Sequence, residues 1–440
     1  MKEFIRYTSL NVIGMLGLSC YILADTFFVA KGLGANGLAA LNLAIPIYSL
    51  IHGSGLMLGM GGATRYSILK SQNLQKEANK AFTHTLLLGI FLSIVFFLVG
   101  VFGADSITTL LRADKDVYAM CKTYLQVILL FAPAFICNDI MLCFVRNDGS
   151  PRLSMIAMVS GSLSNMLLDY IFIFPLGMGI FGAVFATGLA PIISLSILSV
   201  FFVKKQNQFH PVKCKISGKM WGHIAALGTS SLIAEVSSGI VMIVFNTIIL
   251  GMVGNAGVAA YGVIANLSLV VIAVYTGIAQ GIQPLISKNY GKGNKQNIQS
   301  VFKYAMVTVF ILSAAIYVAV SFGADAITSV FNSENNRQLQ EIAVWGLKLY
   351  FTACVFVGCN IILSIYFTSV DSVKPAHVIS VLRGFLLIIP LAFLLPRLGG
   401  MTGLWLAFPI TECIVAIIGA LLYLQYRRSM KRPRPMEFED

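Results

Sequence analysis

The sequence predicts an all-α polytopic membrane protein with twelve transmembrane helices in two six-helix halves. Three observations carry that prediction. The chain is 57% hydrophobic and only 11% charged, with a mean hydropathy of +0.83, whereas a soluble domain carries about twice that charged fraction. Twelve apolar stretches of about 20 residues or more can be drawn, each long enough to cross the hydrocarbon core. The two halves also repeat. Phe102-Gly103-Ala104-Asp105 recurs as Phe322-Gly323-Ala324-Asp325, 220 residues on, and Gly37-Leu38-Ala39-Ala40 recurs at the same offset as Gly257-Val258-Ala259-Ala260. Cys137-Asn138 recurs as Cys359-Asn360.

The expected spans of the first half are 9–31, 42–66, 82–101, 119–144, 153–175 and 181–203. Those of the second half are 222–250, 262–287, 299–321, 342–370, 375–396 and 403–426. Residues 1–203 form the first unit, residues 204–221 a basic linker, and residues 222–440 the second unit with a basic tail. An even number of spans per half makes the repeats parallel, related by an axis along the membrane normal, which puts a substrate between the halves near the midplane.

Lys and Arg set the orientation. They concentrate at both termini and in the even-numbered connections, so both termini are expected in the cytoplasm. The net charge of +13 therefore reads as a topology signal, and no nucleic-acid partner is expected. The tail from Arg427 to Arg434 suits an anionic inner leaflet. The apolar run that starts at the N-terminus continues past Cys20 to Ala30, too long for a signal peptide, and is read as the first span. The eight cysteines form no CxxC pair and the five histidines no ligand set, so no metal site or disulfide framework is expected. No G-x-x-x-x-G-K-[ST] sequence occurs, which argues against direct drive by ATP. No Ser/His/Asp or HExxH constellation supports an enzyme.

The sharpest signal lies in the fifth span. Asn165 and Asp169 are one helical turn apart and share a face. A carboxylate at that depth costs several kcal/mol unless it is paired, hydrated or protonated. The repeat sorts such residues, because a polar group serving the common fold should occur in both halves. Asn138 and Asn360 do, and are expected to make interhelical hydrogen bonds. Asp105 and Asp325 do, and are expected to cap short helices. Asp25 maps to Phe245, Asn165 to Leu387, Asp169 to Leu391 and Thr187 to the neighbourhood of Phe408, so these four belong to the first half alone. Thr187 by itself means little, since threonine often bonds back to its own helix. Further unmatched acids are Glu235, Asp139 and Glu412, each open to a substrate, second-cation or structural role; Arg383 is a structural partner for Glu412. Asp148 and Asp371 lie beside turns and are expected to be hydrated.

Several stretches together resemble the multidrug and toxic compound extrusion (MATE) transporters. They are Asp25 to Gly34 with Leu38-Ala39-Ala40 and Pro46, and Gly149-Ser150-Pro151. Asn165-x-x-x-Asp169 with Leu176 to Ala183 and Ala186-Thr187 follows, then Gly277 to Gly291 with Gln280, Gln283 and Pro284. The resemblance spans nearly the whole chain. It implies a V of two six-helix lobes and alternating access. It implies export of amphipathic, often cationic compounds against protons or sodium, by a monomer in a bacterial or archaeal plasma membrane with no cofactor. It carries the family's cation site onto Asp25, Asn165, Asp169 and Thr187, and a seventh-helix acid onto Glu235. The alternative is a lipid-linked precursor flippase of related shape. That function calls for a strongly basic cavity, whereas the buried charges expected in the first half are acidic.

Overall fold

The computed structural model describes residues 1–332 and 336–431; the end of the basic tail, from residue 432, lies outside them. In chain order the helices are α1 (Lys2–Ser71), α2 (Gln75–Phe102), α3 (Ala104–Leu110), α4 (Lys115–Leu130), α5 (Ala132–Asn147), α6 (Pro151–Ile173) and α7 (Gly179–Val203). The second half contains α8 (Gly218–Gly291), α9 (Lys295–Phe331), α10 (Arg337–Tyr350), α11 (Cys354–Ser369), α12 (Val373–Val381) and α13 (Ile388–Lys431). A turn of 3-10 helix joins α10 to α11, and a π-helical turn, Leu382–Leu386, joins α12 to α13.

The 70-residue α1 would be about 105 Å long if straight. It folds back instead. The Tyr21 and Tyr48 hydroxyls meet at 2.6 Å although 27 residues separate them, about 40 Å along a continuous helix. The turn is one residue, Gly34, with φ 66° and ψ −158°. That region is open essentially to glycine alone. Gly254 breaks α8 with φ 71° and ψ −159°, and Phe245 stacks on Tyr261 across it at 5.5 Å. The two breaks stand at the repeat offset of 220. The expected connections at 32–41 and 251–261, ten and eleven residues, are therefore absent as loops, because one glycine in this conformation reverses the helix. Gly399 and Gly400 break α13, and Arg383 meets Glu412 from the far side of that break.

Among the described residues, eight helical segments are apolar and long enough to cross a membrane, or nine when the bent pair α4–α5 (47°) is taken as one. Three of the nine turn back on themselves at these glycines, an arrangement compatible with the twelve spans expected from the sequence. The buried apolar side chains form two clusters. One runs from Val29 to Ile224, and the other from Phe245 to Val415 with Phe4 added.

The lobes touch at the ends that carry the chain's start. A Cβ on Gly61 would sit 2.0 Å from Ile224 O, and one on Gly228 would sit 1.8 Å from Met57 O. Gly277 and Gly281 closely approach Val12 and Thr8. Small residues one turn apart let helix backbones meet in this way.

Two expectations about acids fail here. Asp105 does not cap α3; it accepts hydrogen bonds from Lys122 Nζ (2.7 Å) and Tyr118 Oη (2.9 Å). The Lys122 ammonium, then Tyr118, hold its carboxyl below the usual range. Asp325 likewise accepts from Gln340 Nε2 (2.8 Å) instead of capping. Asp148 is not hydrated but buried, accepting from Tyr66 (2.7 Å), Lys70 and the Gln208 amide (2.7 Å). Asp371 is half-buried, 3.0 Å from His223 Nε2 and 3.6 Å from Arg65 of the other lobe.

The linker is docked on the first lobe. Phe209 is fully buried among Phe82, Phe144 and Phe201. The Ser217 amide donates to the buried His84 Nε2 at 3.2 Å.

Candidate functional site

The first arm of α1 runs alongside α6 in the same direction. A Cβ on Gly14 would meet Met158, one on Gly17 would meet Val159, and one on Gly32 would meet Ile173. This register brings Asp25 opposite Asp169. Helix α7 runs the other way: Gly161 lies against Ala190 and Ser194, and Gly182 against Phe172. That places Thr187 opposite Asn165. The four residues singled out by the repeat are thus gathered in one place, and none is more than 6% exposed.

The Asp25 and Asp169 carboxyls face each other closely enough to act on one another electrostatically. Two ionised carboxylates this close would repel, and a shared proton or a cation between them would relieve that repulsion. The Asn165 amide is oriented by its network: Nδ2 donates to Asp169 Oδ2 at 3.0 Å, and Oδ1 accepts from the Thr187 amide at 3.2 Å. The reverse orientation keeps only a 3.4 Å contact to Thr187 Oγ1. Thr187 Oγ1 donates to Ala183 O at 3.1 Å, the back-bond expected of a helical threonine. Asp25 Oδ1 and Asp169 Oδ1 remain buried without a donor. Those two orphaned oxygens could take up a proton or ligate a small cation. A proton needs only the carboxyl pair, and a sodium ion would draw on the carboxylates, an amide oxygen and a hydroxyl. No group of three or more His, Cys, Asp or Glu that could hold a metal occurs among the described residues.

Of the other candidates, Asp139 and Glu235 lie near His52, and Glu412 stands apart in the second lobe. Asp139 meets His52, with Nδ1–Oδ2 at 2.9 Å. Glu235 is half-buried on α8, with its Cβ 3.1 Å from the position a Cβ on Gly53 would take. Glu412 is 1% exposed and fully partnered. Its Oε1 accepts from Arg383 Nε at 2.6 Å and its Oε2 from Asn360 Nδ2 at 2.7 Å. Asn360 thereby makes an interhelical bond, while its counterpart Asn138 lines a cavity instead.

Two groups near the site gave no sequence signal. Tyr124 of α4 is buried and interacts with Thr187, Asp25 and Asp169. Arg146 of α5 is 1% exposed, and its hydrogen bonds go to neutral groups. It donates to Asn11 Oδ1 and, across the lobes, to Gln280 Oε1, both at 2.7 Å. Asn147 Nδ2 donates to Gln283 Oε1 at 2.8 Å, and Gln283 Nε2 donates to Thr64 Oγ1 at 2.8 Å. The cavity lined by Arg146, Asp139 and His52 also reaches Thr187 and Tyr21, beside the carboxyl pair.

Comparison with known proteins identifies the family. The MatE family profile matches twice, over residues 12–171 and 231–394, once per half. "Multidrug export protein MepA" of Staphylococcus saprophyticus is 24% identical over 428 residues, covering 96% of this chain and 93% of that protein. The MepA of Staphylococcus aureus is 24% identical over 423 residues with the same coverage. A solved structure described as the outward-facing conformation of a multidrug resistance MATE family transporter superposes with a TM-score of 0.92 at 23% identity, covering 98% of this chain and 97% of that one. A MOP superfamily transporter from Pyrococcus furiosus, described as having a binding pocket of reverse polarity, superposes with a TM-score of 0.91 at 22% identity and the same coverage. With both halves of the chain matched, the protein belongs to the MatE family, the multidrug and toxic compound extrusion transporters.

Proposed function

We propose that this transporter exports amphipathic organic cations in exchange for a cation held by Asp25 and Asp169, with Asn165 and Thr187 completing the site. The supporting observation is the pair of buried, facing carboxyls, with one oxygen of each left without a donor. A cation entering here removes like-charge repulsion and draws α1 onto α6. Loss of that cation leaves two charges in contact in a poorly solvated place. Antiport needs this difference: the ion favours one arrangement of the first lobe and the substrate the other. Sequential occupancy then exchanges one for the other.

The proton is our preferred coupling ion, because a proton-sharing carboxyl pair needs no further ligand. Read with the termini in the cytoplasm, the lobe contacts at Gly61, Gly228, Gly277 and Gly281 close the inner side, and the arrangement is outward-facing. We propose the units 1–203 and 222–440 as the bodies that rock about this contact, within a monomer of the plasma membrane. One charge crossing 100 mV supplies about 2.3 kcal/mol, which would drive a neutral substrate; a monocation exchanged for one proton is electroneutral and draws on the pH gradient alone.

The test is efflux of an organic cation from proteoliposomes under a pH gradient and, separately, a sodium gradient, with wild type and Asp169→Asn. Efflux by wild type under one gradient and none by the variant supports the proposal and identifies the ion. Equal efflux by both proteins overturns the site. Failure of both gradients to drive any compound overturns antiport and brings forward the flippase alternative.

A further inference from the structure

The carboxyl pair is not the only buried acid in the first lobe. Asp139 lies on α5, 4% exposed. Its side chain rests against the second arm of α1, where a Cβ on Gly55 would fall 2.5 Å from Oδ2. His52, three residues earlier on that arm, holds Nδ1 2.9 Å from the same oxygen. The approach is an ion-pair distance but is out of line for a hydrogen bond, and Oδ2 remains a buried acceptor without a donor. His52 can thus neutralise Asp139 when its imidazole is protonated, while leaving the carboxylate's lone pairs unfilled.

The surroundings suit a cation with apolar bulk. The cavity reaching Asp139 is lined by Met15, Tyr21, Tyr48, Phe135 and Met158. Tyr48 stacks on His52 at 5.9 Å and meets Phe135 edge-on at 5.7 Å. Aromatic faces attract organic cations, and thioethers adapt to varied shapes. The other ionisable groups facing the pair are Glu235 from the second lobe, Tyr21 and Tyr48 from α1, and Cys137, Cys143 and Arg146 from α5.

We propose that Asp139 is a second docking point for a substrate's cationic centre, occupied by protonated His52 until substrate arrives. This rests on the export reading above and adds a proton to it. The exchange balances. The imidazolium gives its proton to water and becomes neutral imidazole, the organic cation takes its place beside the carboxylate, and the net charge of the pocket is unchanged. Each cation bound thus releases a proton from His52, independently of any proton on Asp25 or Asp169.

The experiment uses the full chain in lipid nanodiscs and tetraphenylphosphonium, a permanent cation with no proton of its own. Calorimetry in buffers of different ionisation enthalpy counts the protons released per cation bound. His52→Gln should remove the His52 share of that release while binding is kept or strengthened. His52→Arg places a fixed charge beside Asp139 and should weaken binding about tenfold, the worth of a charged hydrogen bond. Asp139→Asn should weaken it similarly, and the two His52 variants keep the test open if that protein does not fold. Unchanged proton release in His52→Gln, unchanged affinity in His52→Arg, or no binding by wild type overturns the proposal. Asp169→Asn separates the two readings: loss of gradient-driven efflux with the His52-dependent release intact supports both. Loss of efflux with no effect of His52 substitution sinks this proposal alone.

Discussion

Arg146 of the first lobe donates to Gln280 of the second at 2.7 Å, and both side chains are buried. The guanidinium has only neutral acceptors, Asn11 Oδ1 and Gln280 Oε1, with the sulfurs of Met60 and Cys143 beside it. Its Nε has none. A buried charge so thinly satisfied depends on each partner. Gln280→Leu should therefore destabilise the closed contact by about 1.5–3 kcal/mol. Spin labels placed on the two lobes at these ends should report a larger share of molecules with the ends apart.

Asp169→Asn keeps the shape of the side chain and removes one of two like charges. Without the shared proton the wild-type pair repels, so alkaline pH should destabilise wild type more than the variant. The variant should melt at the same temperature as wild type or higher at alkaline pH, yet fail to couple transport. A variant that melts lower at every pH would mark Asp169 as a packing residue.

Gly254 has open space around the position of a Cβ, so substitution there tests the backbone alone. Gly254→Ala should cost about 1–3 kcal/mol, the range for a residue forced into a sparsely populated conformation. Gly251 also has open space and no positive φ. Gly251→Ala should be neutral or stabilising, since alanine is the better helix former. Thermal melts of the two variants side by side check this.

Glu412→Gln removes the charge that Arg383 faces across the turn of α13. Breaking one side of a buried pair costs about 3 kcal/mol. Much of that should return when Arg383→Met is added, because the arginine no longer needs a partner. Thermal stability of the single and double variants gives the coupling, and transport by the double variant should persist.

Asp148 holds the linker through the Gln208 amide. Asp148→Asn should loosen that segment. Trypsin should then cleave at Lys213 and Lys215 of the linker faster than in wild type, with the transmembrane fragments intact.

The candidate site was legible in the sequence because a repeat exposes polar residues that only one half carries. Asp25, Asn165, Asp169 and Thr187 have apolar counterparts, and the fold brings them together. Arg146 was not legible for the opposite reason. It stands beside Asn147-Asp148-Gly149 at the end of a span, where a basic residue reads as an ordinary topology signal. Its burial depends on Asn11 and Gln280, far away in the chain. The reversals at Gly34 and Gly254 were half legible. Both positions hold glycine at the repeat offset, but hydropathy does not distinguish a loop from a helix that turns on one residue. His52 and Asp139 carried no spacing signal, because their meeting is set by how α5 packs on α1.

The docked linker also bears on the order in which the chain assembles. Phe209 completes an aromatic cluster drawn from residues 66–202, and the apolar cluster of the first lobe is nearly filled by residue 224. A nascent chain that has reached this point already holds almost every apolar partner that the first lobe will use. Translation arrested just beyond it should leave a protease-resistant six-helix body in the bilayer, ready to receive the second.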